Sequence, residues 1–380
     1  MTIAIFGGGL QVLSTARSLN ERGYVVDVIG TYNEISKRCR FVNKCTQIDI
    51  ATLDIDTFVS IINGNDYSII IPMEDEYARW LSLNKHEVEK NTCARCAVMD
   101  YDVFEIANDK TRLMQFCKEH DIPHPKTEII NNNFEDLSNS IGFPALIKPS
   151  HSAGSRGIQL VNNILELQMQ SQTLIAEYGE CALQEYIRSN DYYYNAMLYR
   201  TADGRYGNYT ITKILRYYPI KGGSSSFCVT IENERILEIC KKLLDELGWV
   251  GFADFDILEN GDGDYRIIEI NPRIPASVHA AAISGVHFGV IIVEDIIKGV
   301  LPTYRYTPGM QLRCLGLDIA WFFSSRDRWR CQPSWFRFFG ETLHYQEGGL
   351  KDFRAMCTSI WIGIKKQMNP EFRKTKKGMN

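Results

Sequence analysis

No stretch of the 380-residue chain approaches the ~18 uninterrupted apolar residues of a membrane-spanning helix. No G-x-x-x-x-G-K-[ST] occurs, which excludes a P-loop nucleotide site. Gly7-Gly8-Gly9 follows a first apolar run, but the dinucleotide fingerprint needs another glycine where Val12 stands, so the segment reads first as a tight strand-to-helix turn. Positive charge is not in excess: 42 Lys and Arg face 46 Asp and Glu, a net of −4, which argues against a nucleic-acid binder. Cysteine pairing is lacking too. The 11 cysteines are odd in number and scattered, and Cys93-Ala94-Arg95-Cys96 has no second pair or histidine cluster to complete a zinc site. Reduced thiols and a cytoplasmic location are the expectation. Met1-Thr2-Ile3-Ala4-Ile5-Phe6 opens as a strand without a basic stretch, so a secretory signal is not expected. Internal repeats and low-complexity segments are absent as well.

The hydrophobic content of 45% and charged content of 23% are those of a folded globular protein, and the length exceeds the ~250–300 residues one core usually serves. Charge is unevenly spread. Residues 301–380 hold 14 Lys and Arg against 6 Asp and Glu, with four of the six tryptophans, so a basic aromatic segment follows an acidic body. Residues 3–6, 24–29 and 68–72 are short apolar runs, the first two separated by a helical pattern over 10–22. This is the grammar of a parallel sheet with helices on both faces. A helix is expected over 109–120. Beyond 122 strands dominate, at 145–148, 157–161, 182–187, 192–199 and 208–215. A helix over 233–247 follows, then strands at 251–258 and 265–270 joined by Asn260-Gly261-Asp262-Gly263. The fold class is therefore α/β followed by α+β.

Two constellations carry chemistry. In the first, a strand delivers Lys148 into the small-residue loop 150–157, whose backbone N–H groups can approach phosphate closely; a plain hairpin is the alternative. In the second, Glu269 and Asn271 share one face of a strand by alternation, and a hairpin brings Asp256 opposite them. Two carboxylates and an amide oxygen suit Mg²⁺, and a buried acid pair without a cation is costly. Arg273 follows, suited to steady a transferring phosphoryl group. Glu74 and Asp75 end a parallel strand, where they either orient an amine or cap a helix. His279, close behind the metal strand, is either near substrate or structural.

Taken in order, these segments resemble the ATP-grasp superfamily over about residues 1–300. The resemblance implies an N-terminal parallel-sheet (pre-ATP-grasp) domain over 1–100, a two-lobed ATP-grasp domain over 101–300 with its small lobe at about 122–187, and a basic, aromatic, helical segment over 301–380. It implies ATP contacts from Lys110, Lys148, Ser155, Arg156 and Gly157, an adenine hinge at Gln184, Glu185, Tyr186 and Ile187, and a ribose contact from Asp191. It further implies Mg²⁺ (with Mn²⁺ as substitute) on Asp256, Glu269 and Asn271, and a catalytic Arg273. Asp stands at 256 and 191 where relatives often carry longer side chains. The stretch from Arg216 through Gly222, Gly223 and Ser224 resembles a substrate loop of the carbamoyl-phosphate-synthase-like branch, which includes D-aspartate ligase and surface-polysaccharide enzymes.

The activity so implied is ATP-dependent joining of a small-molecule carboxylate to an amine through an acylphosphate, on a cell-surface saccharide or its precursor; the alternatives are an amino-acid or peptide ligase on soluble substrates, and a non-catalytic nucleotide-binding scaffold. A homodimer is left open. Tryptophan and phenylalanine interleaved with arginine in 301–380 lead to the expectation of a peripheral membrane contact with a lipid-linked acceptor, core packing of the aromatics being the alternative.

Overall fold

The computed structural model describes residues 1–31, 34–150, 157–188, 192–220, 222–261, 263–348 and 352–368. The chain opens with β1 (Thr2–Phe6), α1 (Gln11–Asn20), β2 (Val25–Gly30), α2 (Glu34–Arg38), β3 (Lys44–Gln47), α3 (Ile55–Asn63), β4 (Tyr67–Pro72), α4 (Asp75–Asn91) and β5 (Arg95–Cys96). The five strands form one parallel sheet in the order β3-β2-β1-β4-β5. Strand alternation sends Ile3 and Ile5 into one core and Ala4 and Phe6 into another, so both faces are covered, as a parallel sheet requires. Gly7 turns the chain after β1 at φ +106, in the left-handed region where a side chain would be strained.

Helices α5 (Tyr101–Asn108) and α6 (Lys110–Glu119) lead into a small lobe of β6 (Thr127–Ile129), α7 (Phe134–Ile141), β7 (Ala145–Pro149), β8 (Gln159–Val161), α8 (Ile164–Tyr178) and β9 (Cys181–Glu185). Its antiparallel sheet runs β6-β9-β7-β8, and its core, built on Leu137, Ile147, Leu167 and Leu183, is its own. Asn133 and Asn163 accept from the first turns of α7 and α8 and so cap them.

A larger lobe follows: β10 (Tyr193–Arg200), β11 (Tyr206–Tyr218), β12 (Ser224–Ile231), α9 (Glu234–Glu246), β13 (Gly251–Glu259), β14 (Tyr265–Asn271), α10 (Val278–Ile283), α11 (Phe288–Lys298), β15 (Gln311–Arg313), α12 (Leu315–Ser324), β16 (Leu343–Tyr345) and α13 (Phe353–Met368). Apolar residues at helical spacing and Asn233 as cap place α9 where the sequence predicts it. This lobe shares both large cores with the N-terminal sheet: Phe255 and Leu243 join Phe6 and Phe58, while Phe288 and Ile291 join Ile3 and Leu13. Along this seam His279 Nδ1 meets Ser14 Oγ at 3.1 Å and His287 Nδ1 meets Ser18 Oγ at 3.0 Å, one helical turn apart on α1. A Cβ on Gly289 would lie 2.7 Å from Thr15 Cγ2, so only glycine permits that approach.

One expectation is corrected. Residues 301–380 do not stand apart as a helical segment: β15 and β16 extend the central sheet, whose order is β14-β13-β10-β11-β12-β15-β16. The reason is electrostatic as well as apolar. Arg216 on β11 and Arg313 on β15 are both buried and both donate to Asp318 of α12, at 2.7 and 3.2 Å from Arg216 and 2.6 Å from Arg313. Their remaining N–H groups hold the carbonyls of Pro333 (3.0 Å), Trp335 (2.9 Å) and Arg337 (3.2 Å), clamping the following loop to the sheet. Asp318→Ala leaves two guanidinium groups buried without their shared anion and should cost about 3–5 kcal/mol. Chemical denaturation measures this; a loss below about 1 kcal/mol, the worth of an ordinary surface pair, would contradict it.

Candidate active site

The two strands at one edge of the large lobe's sheet bring the acids together. β13 and β14 pair antiparallel so that Asp256 faces Glu269 and Asp254 faces Asn271. On the other side of β13, Asn195 of β10 lies opposite Asp256 and donates to its carboxylate. Burial raises Asp256 first, and Glu269 adds to it, so its carboxyl is pushed up to about 7. Asp254 is pushed up as well, by burial and then by Asp256, and its Oδ1 is buried without a hydrogen-bond partner. Asn271 Nδ2 donates to its other oxygen at 3.2 Å. Asp254 is the residue that sequence reasoning missed, although the alternation that pairs Glu269 with Asn271 also places Asp254 and Asp256 on one face.

Cations ring these acids. Asp109 caps α6 by accepting from Thr111 N and Arg112 N, at 2.9 and 3.0 Å, which sets Lys110 at the first helical position. Lys110 Nζ then lies 3.5 Å from Glu269 Oε1. Lys148, on β7, is half-buried; its ammonium is pushed down to about 8 by burial and by Lys110, against the pull of Glu269. The two lysines and Glu269 therefore form one cluster, although they come from three elements. Ser150, at the end of β7, ties that strand to α6: its hydroxyl lies 2.7 Å from Thr111 Oγ1 and donates to Glu180 at 2.9 Å, and its carbonyl accepts from Lys110 N.

Arg273 is held from the N-terminal domain. Its Nε donates to Asp75 Oδ1 at 2.8 Å, its Nη2 to Asp75 Oδ2 at 3.3 Å and also to Asn271 Oδ1 at 3.4 Å. Glu74 accepts from Gly8 N at 2.6 Å and closes the glycine turn. The helix-cap alternative is not met, since Glu74 makes no side-chain cap to α4, and Asp75 faces an arginine.

The remaining predicted residues divide. Gln184 is buried and donates to Thr127 Oγ1 at 2.9 Å, and Glu185 accepts from Lys126 N at 3.1 Å, so both side chains serve the β6–β9 pairing. Tyr186 is half-buried and Ile187 buried just beyond. Gly157 takes φ +72 beneath Pro149. Ser155, Arg156 and Asp191 lie outside the described residues. Gly222 has φ +118, and the carbonyl of Gly223 accepts from Tyr193 OH at 3.1 Å, while Ser224 is exposed at the start of β12. Arg216 is corrected: its donors are spent on Asp318 and Pro333, so it anchors the sheet and does not face a substrate. His279 is corrected likewise. It lies in the α1–α10 seam, where burial pushes its imidazole down to about 3 and keeps it neutral.

The crowding of Asp256 against Glu269 has a measurable consequence. Asp256→Asn removes a buried like charge and keeps an oxygen for Asn195, so in chelator at neutral pH the variant should be more stable by about 1–2 kcal/mol. Urea denaturation decides, and a destabilised variant would refute the crowding.

Known proteins share this fold. Residues 107–277 match the family model described as ATP-grasp domain. The chain is 25% identical over 323 residues to the D-aspartate ligase of Enterococcus faecium, covering 77% of this chain and 75% of that protein. It is 25% identical over 265 residues to the carbamoyl phosphate synthase large chain of Clostridium botulinum, spanning 66% of this chain but only 24% of that one. Among solved structures, N5-carboxyaminoimidazole synthetase of Staphylococcus aureus superposes with a TM-score of 0.65 at 16% identity, over 81% of this chain and 80% of that one. Biotin carboxylase of Campylobacter jejuni gives 0.66 at 16%, over 82% and 74%. Residues 107–277, with the cleft they build against the N-terminal sheet, therefore carry an ATP-grasp domain, in a chain whose fold is like that of these relatives.

Proposed function

We propose that this chain joins a small-molecule carboxylate to an amine through an acylphosphate, with release of ADP and phosphate. The observation that carries the reading is the opposed pair Asp256 and Glu269 set among Lys110, Lys148 and Arg273. The donor set fits a hard divalent cation: the oxygens are carboxylate and amide, Asp256 is crowded by a like charge, and Asp254 Oδ1 has no donor. Among the described residues no three His, Cys, Asp or Glu side chains close into a ready-made cage. That suits Mg²⁺, which keeps water and phosphate oxygens in its shell. Asp256, Glu269 and Asn271 would hold it. When bound there, Mg²⁺ supplies charge neutralisation for the triphosphate.

The chain's own residues do the rest. Lys110 and Lys148 present point charges to phosphate oxygens. Arg273, oriented by Asp75, steadies the transferring phosphoryl group. A carboxylate oxygen of the first substrate attacks the γ-phosphorus as the bond to ADP breaks. The amine lone pair then attacks the acyl carbon, phosphate leaves, and the nitrogen gives up a proton. Because an acylphosphate is already activated, positioning and charge suffice and none of the 11 cysteines is needed as a nucleophile. Retention of both lysines, the acids and Arg273 speaks against a non-catalytic scaffold. The likeness to D-aspartate ligase supports an amino acid as one of the two substrates. A second reading of the acceptor, an amine on a saccharide or a lipid-linked precursor at a membrane, draws on the exposed aromatic and arginine side chains of residues 323–339.

ADP release should require both a carboxylate and an amine, and hydroxylamine should trap the acylphosphate as a hydroxamate. A panel of amino acids read by phosphate release tests this, and ADP formation indifferent to every added acid would sink the ligase reading. Glu269→Gln should abolish turnover while the circular dichroism spectrum is unchanged. Lys148→Ala should weaken nucleotide binding by about 1–3 kcal/mol, the scale of a charge-assisted hydrogen bond, as calorimetry would record.

A further inference from the structure

Four of the exposed large apolar side chains are aromatic rings on one stretch of chain. Phe323 is 75% exposed, Trp329 70%, Phe336 54% and Phe339 90%, all on the stretch from the end of α12 to the approach of β16. Three of them surround Phe322, with ring centroids at 5.6 Å (Phe323), 5.4 Å (Trp329) and 5.8 Å (Phe336), and Trp329 stacks on Phe336. Phe339 follows Phe338, whose ring packs on Trp335. Arg326, Arg330 and Arg337 are exposed within the same stretch and form no ion pair among the described residues. Asp327 and Glu341 are its exposed acids.

This surface is rigidly founded. The Arg216–Asp318–Arg313 cluster holds the backbone at Pro333, Trp335 and Arg337; Trp335 Nε1 donates to the Asp318 carbonyl at 3.1 Å, and Tyr345 OH donates to the Phe338 carbonyl at 2.7 Å. Burying these rings in a partner therefore requires little new ordering of the loop. Charge selects the partner. Residues 301–380 carry a net of +8 on a chain whose total is −4, so the rest of the molecule is strongly acidic. A symmetric contact with a second copy would set Arg326, Arg330 and Arg337 against their own like. Half-exposed tryptophan and phenylalanine beside unpaired arginine instead match a layer whose depth is apolar and whose rim is anionic.

We propose that residues 323–339 dock the protein peripherally on an anionic phospholipid bilayer, with Phe323, Trp329, Phe336 and Phe339 entering the headgroup layer and Arg326, Arg330 and Arg337 meeting lipid phosphates. No helix of the described residues is long and apolar enough to cross a membrane, so the contact is reversible and salt-sensitive. The surface is tied to β11 by Arg216, whose Nη1 donates to the Pro333 carbonyl. Docking does not depend on the ligase reading, and its test is independent of turnover.

Full-length protein is sedimented with vesicles of phosphatidylcholine alone or with added phosphatidylglycerol, at about 0.05 M and about 0.5 M salt. Phosphatidylglycerol vesicles at low salt should pellet the protein, and high salt or pure phosphatidylcholine should lower partitioning roughly tenfold. The double variants Trp329→Ser/Phe339→Ser and Arg326→Glu/Arg330→Glu should each lose binding by about fivefold or more with unchanged thermal melting, since these side chains are exposed. Protein that stays in the supernatant at low salt overturns the proposal. So does binding that both variants retain, or a dimer in light scattering that the serine variant dissociates without any lipid binding. ADP release measured without vesicles reports on the ligase reading separately.

Discussion

Two carboxylates facing each other across one antiparallel pair, Asp256 and Glu269, impose their needs on everything around them. Alone they would repel within a poorly solvated cleft, and each neighbouring element answers part of that cost. Asn195 donates to one acid, Lys110 reaches the other from a helix start fixed by its own cap, and Arg273 follows on the same strand. Arg273 is in turn gripped by Asp75 from a different domain. The N-terminal domain thus reaches the chemistry through that guanidinium, and its first glycine turn is closed by the residue next to the grip, Glu74.

Much of this was legible where structure is local. The hairpin of β13 and β14 follows from alternation around a glycine-rich turn, and α9 follows from apolar periodicity and an asparagine cap. The acid-and-amide set could be read two residues apart for the same reason, and Asp254 escaped only because the rule was not applied to the partner strand. What could not be read depends on residues far apart in the chain. Asp75 lies 198 positions from Arg273, and Asp318 lies 102 from Arg216. An arginine beside a glycine-containing turn looks like a ligand contact until its anion is known. In the same way, three-residue strands such as β15 and β16 carry too few residues to show a period, and they form because β12 offers an edge to β15 and β15 one to β16.

The aromatic segment combines both situations. Trp321 is buried against the Arg216 guanidinium and belongs to the core, while Trp329 and Phe339 stand in solvent. Composition could not separate the two groups, because the same residue types serve both. The dividing line is drawn by the buried guanidinium groups, which hold Trp321, Trp335 and Phe338 by their ring faces and, on their N–H donors, fix the backbone at Pro333, Trp335 and Arg337 beside the exposed rings.

The distribution of cores also determines where the molecule can bend. Both large hydrophobic clusters run without a break from the N-terminal sheet into the large lobe, and the histidine–serine contacts of α1 stitch their border. The small lobe alone closes its apolar interior upon itself. Swinging it leaves that interior closed and works mainly against polar ties, such as those of Ser150 to α6 and of Glu128 to Lys118, which water can replace. Lys148 rides on that lobe and Lys110 on the fixed body. The distance between the two ammonium groups is consequently tied to how the small lobe sits, and on the proposed reading an anion that attracts both would latch the lobe.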